Sequence, residues 1–245
     1  MPHDAWRERS YERDGAAHVY YARGDEVAPA VLLLHEFPGI TPELQGYADA
    51  LAQDFRVYVP SLFGEDFVPM TCRSSLRAAV GLCVSTEMHL LARDGVSRSV
   101  PWLRGFAREV VGEAGRPYGV IGLCLTGGFA LALAADPQVA AAVVGEPAAP
   151  PLPGALGLSA EDREALADRS GLRVQGYRYV GDSHSPAAKL RAAERLLGTG
   201  RMRRFELTDG PPEVKRPHST LTHHPSPTAV TGVRDFLLDR LSESA

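Results

Sequence analysis

The sequence predicts an α/β fold, a mostly parallel sheet with helices on both faces. Three observations carry this. Short continuous apolar runs recur along the chain, helical patterns lie between them, and no linker divides the 245 residues. A strand that is apolar on both faces is covered on both sides, which is the condition of a parallel sheet. The length suits one sizeable core and is short for two, so a single domain over residues 1–245 is expected.

The elements follow in order. His18 to Ala22 is expected as an edge strand near the N-terminus. Ala30 to Leu34 (AVLLL) reads as a strand buried on both faces, and Phe55 to Val59 (FRVYV) as another, ended by Pro60. Between them, Thr41-Pro42-Glu43 supplies the cap and first-turn proline of a helix, with Leu44, Tyr47, Ala48 and Leu51 on one face. From Arg73 to Arg93, the residues Leu76, Ala79, Val80, Cys83, Val84 and Leu91 recur at helical spacing. Trp102, Phe106 and Val110 mark the next helix, before Gly112.

Tyr118 to Leu123 (YGVIGL) is the third apolar strand, and the helical run Phe129 to Ala135 comes soon after it. Val139 to Val144 (VAAAVV) is the fourth, followed by Glu146-Pro147. Leu152 to Arg169 lacks a strand pattern and reads as an excursion over the surface. Arg173 to Val180 and Arg203 to Leu207 are the fifth and sixth strands. Ser185-Pro186 starts a helix carrying Leu190, Ala193 and Leu197; Pro227 starts the last, carrying Val230, Val233, Leu237 and Leu241.

Charge and composition narrow the function. With 26 basic and 30 acidic residues the net charge is -4, so there is no broad basic field for nucleic acid or anionic membrane. No apolar run approaches the roughly 18–20 residues of a membrane span. Met1 to Asp14 is charged and has no apolar stretch, so no signal peptide is expected. The 3 cysteines, Cys72, Cys83 and Cys124, are too few and odd for a disulfide framework, which points to a reducing cytoplasm. No cofactor is expected.

In a parallel α/β sheet, sites form at the carboxyl ends of strands. Gly122-Leu123-Cys124-Leu125-Thr126-Gly127-Gly128 is strand, sharp turn and helix with a potential nucleophile at the turn. Small residues let such an elbow clear its neighbours, and the N–H after the nucleophile, here that of Leu125, becomes an oxyanion donor. The usual small residue two places after the nucleophile is replaced by Thr126. Glu36 follows the first buried strand directly, an uncomfortable place for a charge. His35-Glu36 is no zinc-protease start, since the second His is missing and Pro38 would break the helix.

Asp182 follows the fifth strand, and His218 opens the final segment. Nucleophile, later acid and late His is the chain order of α/β-hydrolase triads, and Cys124, Asp182 and His218 fit it. His223 competes with His218 for the role of base. A metal reading would draw on Asp182, His184, His218, His223 and His224, whose spacing matches no standard zinc pattern, so no metal is expected. Cys83, on an apolar stripe, reads as core.

These motifs resemble the dienelactone hydrolase family of the α/β-hydrolase fold. The resemblance runs from about Ala17 to Leu241 and rests on VLLLHEFPG (Val31–Gly39), PSLFG (Pro60–Gly64), GLCLTGG (Gly122–Gly128), Gly181-Asp182 and His218-Ser219. It implies Cys124 as nucleophile, His218 as general base, Asp182 as its orienting carboxylate and Glu36 as an extra carboxylate that helps set the ionisation of the nucleophile. It implies an oxyanion hole at the backbone N–H groups of Leu125 and Phe37, and a small-molecule ester or lactone as substrate. Family members that take dienelactone carry an Arg four residues after the catalytic His. Thr222 stands there, so dienelactone itself is not expected to be the substrate. Arg73, Arg77 or Arg93 could supply another anion contact. Two further readings share the scaffold: action on another natural-product ester or lactone, and a non-catalytic ligand-binding protein.

Overall fold

The apolar runs become strands because each is hydrophobic towards both faces of the sheet. A computed structural model describes residues 6–71, 73–76 and 99–242. Among them are the strands β1 (Arg7–Arg13), β2 (Ala16–Arg23), β3 (Ala30–Leu34), β4 (Arg56–Pro60), β5 (Tyr118–Leu123), β6 (Val139–Gly145), β7 (Arg173–Tyr179) and β8 (Met202–Leu207). They form one 8-stranded sheet in the order β1-β2-β4-β3-β5-β6-β7-β8. β3, β4, β5, β6, β7 and β8 run parallel, while β1 and β2 are antiparallel additions. This is the architecture of the α/β-hydrolase fold.

Among the described residues the α-helices are α1 (Pro42–Leu51), α2 (Ser99–Phe106), α3 (Gly127–Leu133), α4 (Ala160–Asp168), α5 (Ala187–Leu197) and α6 (Pro227–Ser242). Alternate residues of β3 enter two cores. Leu32 and Leu34 pack with Trp102, Phe106, Leu131, Leu190 and Ala193 from α2, α3 and α5. Val31 and Leu33 pack with Leu44, Leu51, Val233 and Leu237 from α1 and α6. α1 starts as the sequence indicates, the Thr41 hydroxyl accepting from the Leu44 N–H with Pro42 in the first turn.

Two expectations need correction. The strand at His18 is not the edge, because β1 pairs outside it, Tyr11 opposite His18. β1 (RERSYER) is exposed at nearly every position, so no apolar pattern announces it. Residues 152–169 contain no strand, as expected, and α4 lies there. Ser159 and Asp162 cap it reciprocally, and only Asp162 and Leu166 are buried, too few for a visible stripe. Leu76, placed on an apolar stripe, is exposed. The rest of that stripe, Ala79 to Leu91, lies outside the described residues, as do Cys72, Cys83, Arg77 and Arg93.

Candidate active site

Cys124 follows β5 directly, with φ of 50°, a left-handed backbone that non-glycine residues rarely adopt. A 3-10 turn, Cys124–Thr126, leads into α3. The tightness of this turn explains Gly122, where a Cβ would collide with the Thr126 carbonyl and lie 2.8 Å from the Ala130 Cβ. It also explains Thr126. The buried hydroxyl accepts from the Leu123 N–H at 3.0 Å and lies 3.1 Å from the Leu34 carbonyl. Its one proton is shared between that carbonyl and the Leu123 carbonyl at 3.0 Å, so threonine can tie the elbow to the end of β3, which a glycine would not do.

Sheet register brings the next residues to the same level. Leu34 stands opposite Gly122, Leu123 opposite Gly145, and Gly145 opposite Tyr177. The extensions of β3, β5 and β6 thus carry Glu36, Cys124 and Glu146 side by side. Glu36 is 2% exposed and Glu146 fully buried, while Cys124 is half-buried. His35 holds the first strand end in place. Its Nδ1 lies 3.0 Å from the Glu36 carbonyl and its Nε2 accepts from the Leu62 N–H at 3.0 Å. Burial lowers its pKa to about 4, so it is a neutral structural contact.

Asp182 sits in the turn after β7. Its Oδ1 accepts from the N–H groups of His184 (2.9 Å) and Ser185 (3.3 Å), and its Oδ2 lies 2.7 Å from His218 Nδ1. Arg178 braces the turn from behind, donating to the carbonyls of Ser185 (2.7 Å) and Asp182 (3.2 Å). Burial pushes the Asp182 pKa up. The hydrogen bond and charge of His218 and the two N–H donors outweigh it, and the net shift is down.

The segment from His218 to His224 closes the site from above. Ser219 donates to Glu36 Oε2 at 2.6 Å, and Thr222 donates to Glu36 Oε1. The N–H of Thr220 donates to Glu146 Oε2 at 2.9 Å, and its hydroxyl donates to the same oxygen. The N–H of His218 donates to His224 Nδ1 at 3.2 Å, and Tyr179 O–H donates to the His224 carbonyl at 2.6 Å. One short loop thus presents His218 to Asp182 and hydroxyl donors to both buried glutamates.

Cys124 and His218 act on each other's ionisation. Burial pushes the Cys124 thiol up, His218 pulls it down, and the charges of Glu36 and Glu146 push it up again; the net shift is upward. For His218, burial works downward, but the hydrogen bond of Asp182 and the neighbouring Cys124 win, and the imidazole becomes a stronger base than usual.

The structure therefore brings Cys124, His218, Asp182 and Glu36 to one place. Leu125 is in the turn after Cys124 and Phe37 follows Glu36, both half-buried at the same end of the sheet. His223 turns elsewhere, its Nδ1 3.6 Å from Glu43 and its Nε2 3.4 Å from the Thr41 hydroxyl. Asp182, His184 and His218 are close enough to be considered as a metal cluster. A metal there would compete with the Asp182–His218 hydrogen bond, and the His184 side chain is 78% exposed. Sequence reasoning gave Glu146 no role. The available signal was the one that singled out Glu36, a carboxylate directly beyond a continuous apolar strand.

Fold and site together define an α/β hydrolase. The dienelactone hydrolase family profile matches residues 17–171, more than half of the chain. The chain belongs to the dienelactone hydrolase family, and it is a hydrolase acting on ester or lactone bonds. No curated protein matches its sequence. Among solved structures it is similar to a dienelactone hydrolase-like promiscuous phosphotriesterase from metagenomic libraries, at 17% identity and a TM-score of 0.67, covering 98% of each chain. It is similar to a dienelactone hydrolase from Anabaena variabilis at 17% identity and a TM-score of 0.59, covering 98% of this chain and 99% of that one. It is also similar to a cold-adapted esterase from an Arctic intertidal metagenomic library, at 21% identity and a TM-score of 0.56, covering 96% and 93%.

Proposed function

We propose that this protein hydrolyses an ester or lactone through a cysteine nucleophile, with Cys124, His218 and Asp182 as triad. The observation that carries this is Cys124 on a left-handed elbow, with His218 acting on its ionisation and holding Nδ1 2.7 Å from Asp182 Oδ2. In this mechanism His218 takes the thiol proton, and the thiolate attacks the substrate carbonyl carbon. The N–H groups of Leu125 and Phe37 hold the oxyanion. Collapse breaks the carbon–oxygen bond, and the leaving alkoxide takes the proton from His218. A thioester remains on Cys124. His218, oriented by Asp182, then deprotonates water, which attacks the thioester and releases the acid, and the proton returns to Cys124.

Glu36 opposes ionisation of the resting thiol, which limits its oxidation between turnovers. The mechanism needs a reduced Cys124, which suits a reducing cytoplasm. Thr222 donates its hydroxyl to Glu36 and brings no cation, which favours an ester or lactone other than dienelactone itself. Activated carboxylic esters offered to Cys124→Ala test the reading. Turnover should drop to the uncatalysed background, and retained turnover would remove Cys124 from the mechanism.

A further inference from the structure

Glu146 stands out because the mechanism above makes no use of it. It is fully buried at the end of β6, at φ of 30°, in a conformation strained for a glutamate. Its own N–H is fixed by the Tyr177 carbonyl at 2.7 Å. Gly145 pairs with Leu123, so the next residue on each strand extension is Glu146 beside Cys124. The Ala148 N–H donates to the Cys124 carbonyl at 2.9 Å, tying the two extensions together. Oε2 takes both donors of Thr220, two residues beyond His218, whereas Oε1 is buried with no hydrogen-bond partner among the described residues. Leaving a carboxylate oxygen buried and unpaired is costly, and such a cost in a native fold calls for a function.

We propose that Glu146 is a positioning residue for the reaction: its carboxyl clamps Thr220 so that His218 stays seated over Cys124, and its charge opposes the Cys124 thiolate. The proposal rests on the cysteine-hydrolase reading above. The ionisable groups that face Glu146 come from five elements: Glu36 beyond β3, Cys124 at the elbow, His218 on the closing loop, Tyr47 of α1 and Tyr179 of β7. Burial and the Glu36 charge favour the protonated Glu146, while His218 and Thr220 favour the ionised form; the balance moves its pKa up to about 8. Glu146 is therefore neutral through mildly basic pH and becomes an anion beside Cys124 above that.

Glu146→Gln and Glu146→Ala separate the clamp from the charge. Glutamine keeps a carbonyl oxygen for Thr220 and removes the charge; alanine removes both. The experiment follows alkylation of the Cys124 peptide by mass spectrometry across pH, together with kcat and KM on an activated ester. The alkylation midpoint should fall in Glu146→Gln by about half a pH unit or more, because a neighbouring anion has gone. Glu146→Ala should lower kcat about tenfold or more with KM changed less, and Glu146→Gln should recover most of that loss. An alkylation curve of Glu146→Gln that superimposes on the parent curve would overturn the charge assignment. Equal kcat in the alanine and glutamine variants would overturn the clamp. Alkylation needs no turnover, so an active Cys124→Ala and an unmoved alkylation curve are separate failures.

Discussion

Thr126→Val tests the elbow most directly. Valine keeps the branched shape and volume and deletes the hydroxyl, so the change isolates hydrogen bonding at a fully buried site. The Leu123 N–H loses its acceptor at 3.0 Å, in a place water does not reach. An unsatisfied buried donor costs about 1–3 kcal/mol, and the lost donation to a carbonyl adds about 1 kcal/mol. The expected destabilisation is therefore about 2–4 kcal/mol, or roughly 4–16 °C in melting temperature for a chain of this size. Urea denaturation should show a lower midpoint with an unchanged slope.

Thr126→Ser is the control, because it keeps the hydroxyl and loses one buried methyl, at about 1 kcal/mol. Releasing the elbow from the Leu34 carbonyl also lets Cys124 drift from His218. A misplacement of about 1 Å can cost about a hundredfold in rate, so kcat/KM should fall further in Thr126→Val than in Thr126→Ser. A Thr126→Val protein within about 0.5 kcal/mol of the parent would refute the hydroxyl lock. In that case the elbow would be held by packing of Gly122 and Ala130 alone.

Asp182→Asn should leave the fold intact and lower kcat by about a hundredfold to ten-thousandfold, since an amide neither favours the charged imidazole nor secures its tautomer. Steady-state kinetics with a matched melting curve checks this. The pair Ser219→Ala and Thr222→Val strips Glu36 of both hydroxyl donors; combined, they should cost about 3 kcal/mol or more in chemical denaturation, because a buried carboxylate is left unpaired. Stability should also depend on pH through Glu146. Its pKa is higher in the folded than in the unfolded chain, so the folded state holds the extra proton between the ordinary carboxylate range and about pH 8, and stability falls as pH rises through that window. Glu146→Gln removes this slope: its melting temperature should gain on the parent from about pH 5 to 8 and run parallel above, and a constant difference would refute the shift.

How much of this could be read from the sequence depended on the range of each interaction. β3, β5 and α1 announce themselves by local chemistry, an apolar run or a Thr-Pro start, and they appear at the expected residues. β1 is invisible because it lies outermost with polar side chains, and pairing with β2 is all that defines it. Cys124 and Glu36 were legible because each sits where a strand ends, against local expectation. The partners of Glu36 were not, since Ser219 and Thr222 lie 183 and 186 residues away and a hydroxyl in a loop carries no periodic signal. Thr126 read as a departure from the elbow pattern until its hydroxyl was seen to bridge the Leu123 N–H and the Leu34 carbonyl, the latter 92 residues away.

The loop from His218 to Thr222 is what turns separate strand ends into one site. β3, β6 and β7 each deliver a buried carboxyl, and each is received there by a different residue: Glu36 by Ser219 and Thr222, Glu146 by Thr220, Asp182 by His218. The charge of Glu36, and that of Glu146 once it ionises, raises the thiol pKa, while His218, held by Asp182, lowers it. A hydroxyl at position 222 satisfies Glu36 by hydrogen bonding but cannot cancel its charge, as a guanidinium would. Burial and these charges keep the Cys124 thiol protonated, while the loop carries the His218 that pulls the other way. An acyl group bearing its own negative charge would meet that field unfavourably, and one that brings no charge would not.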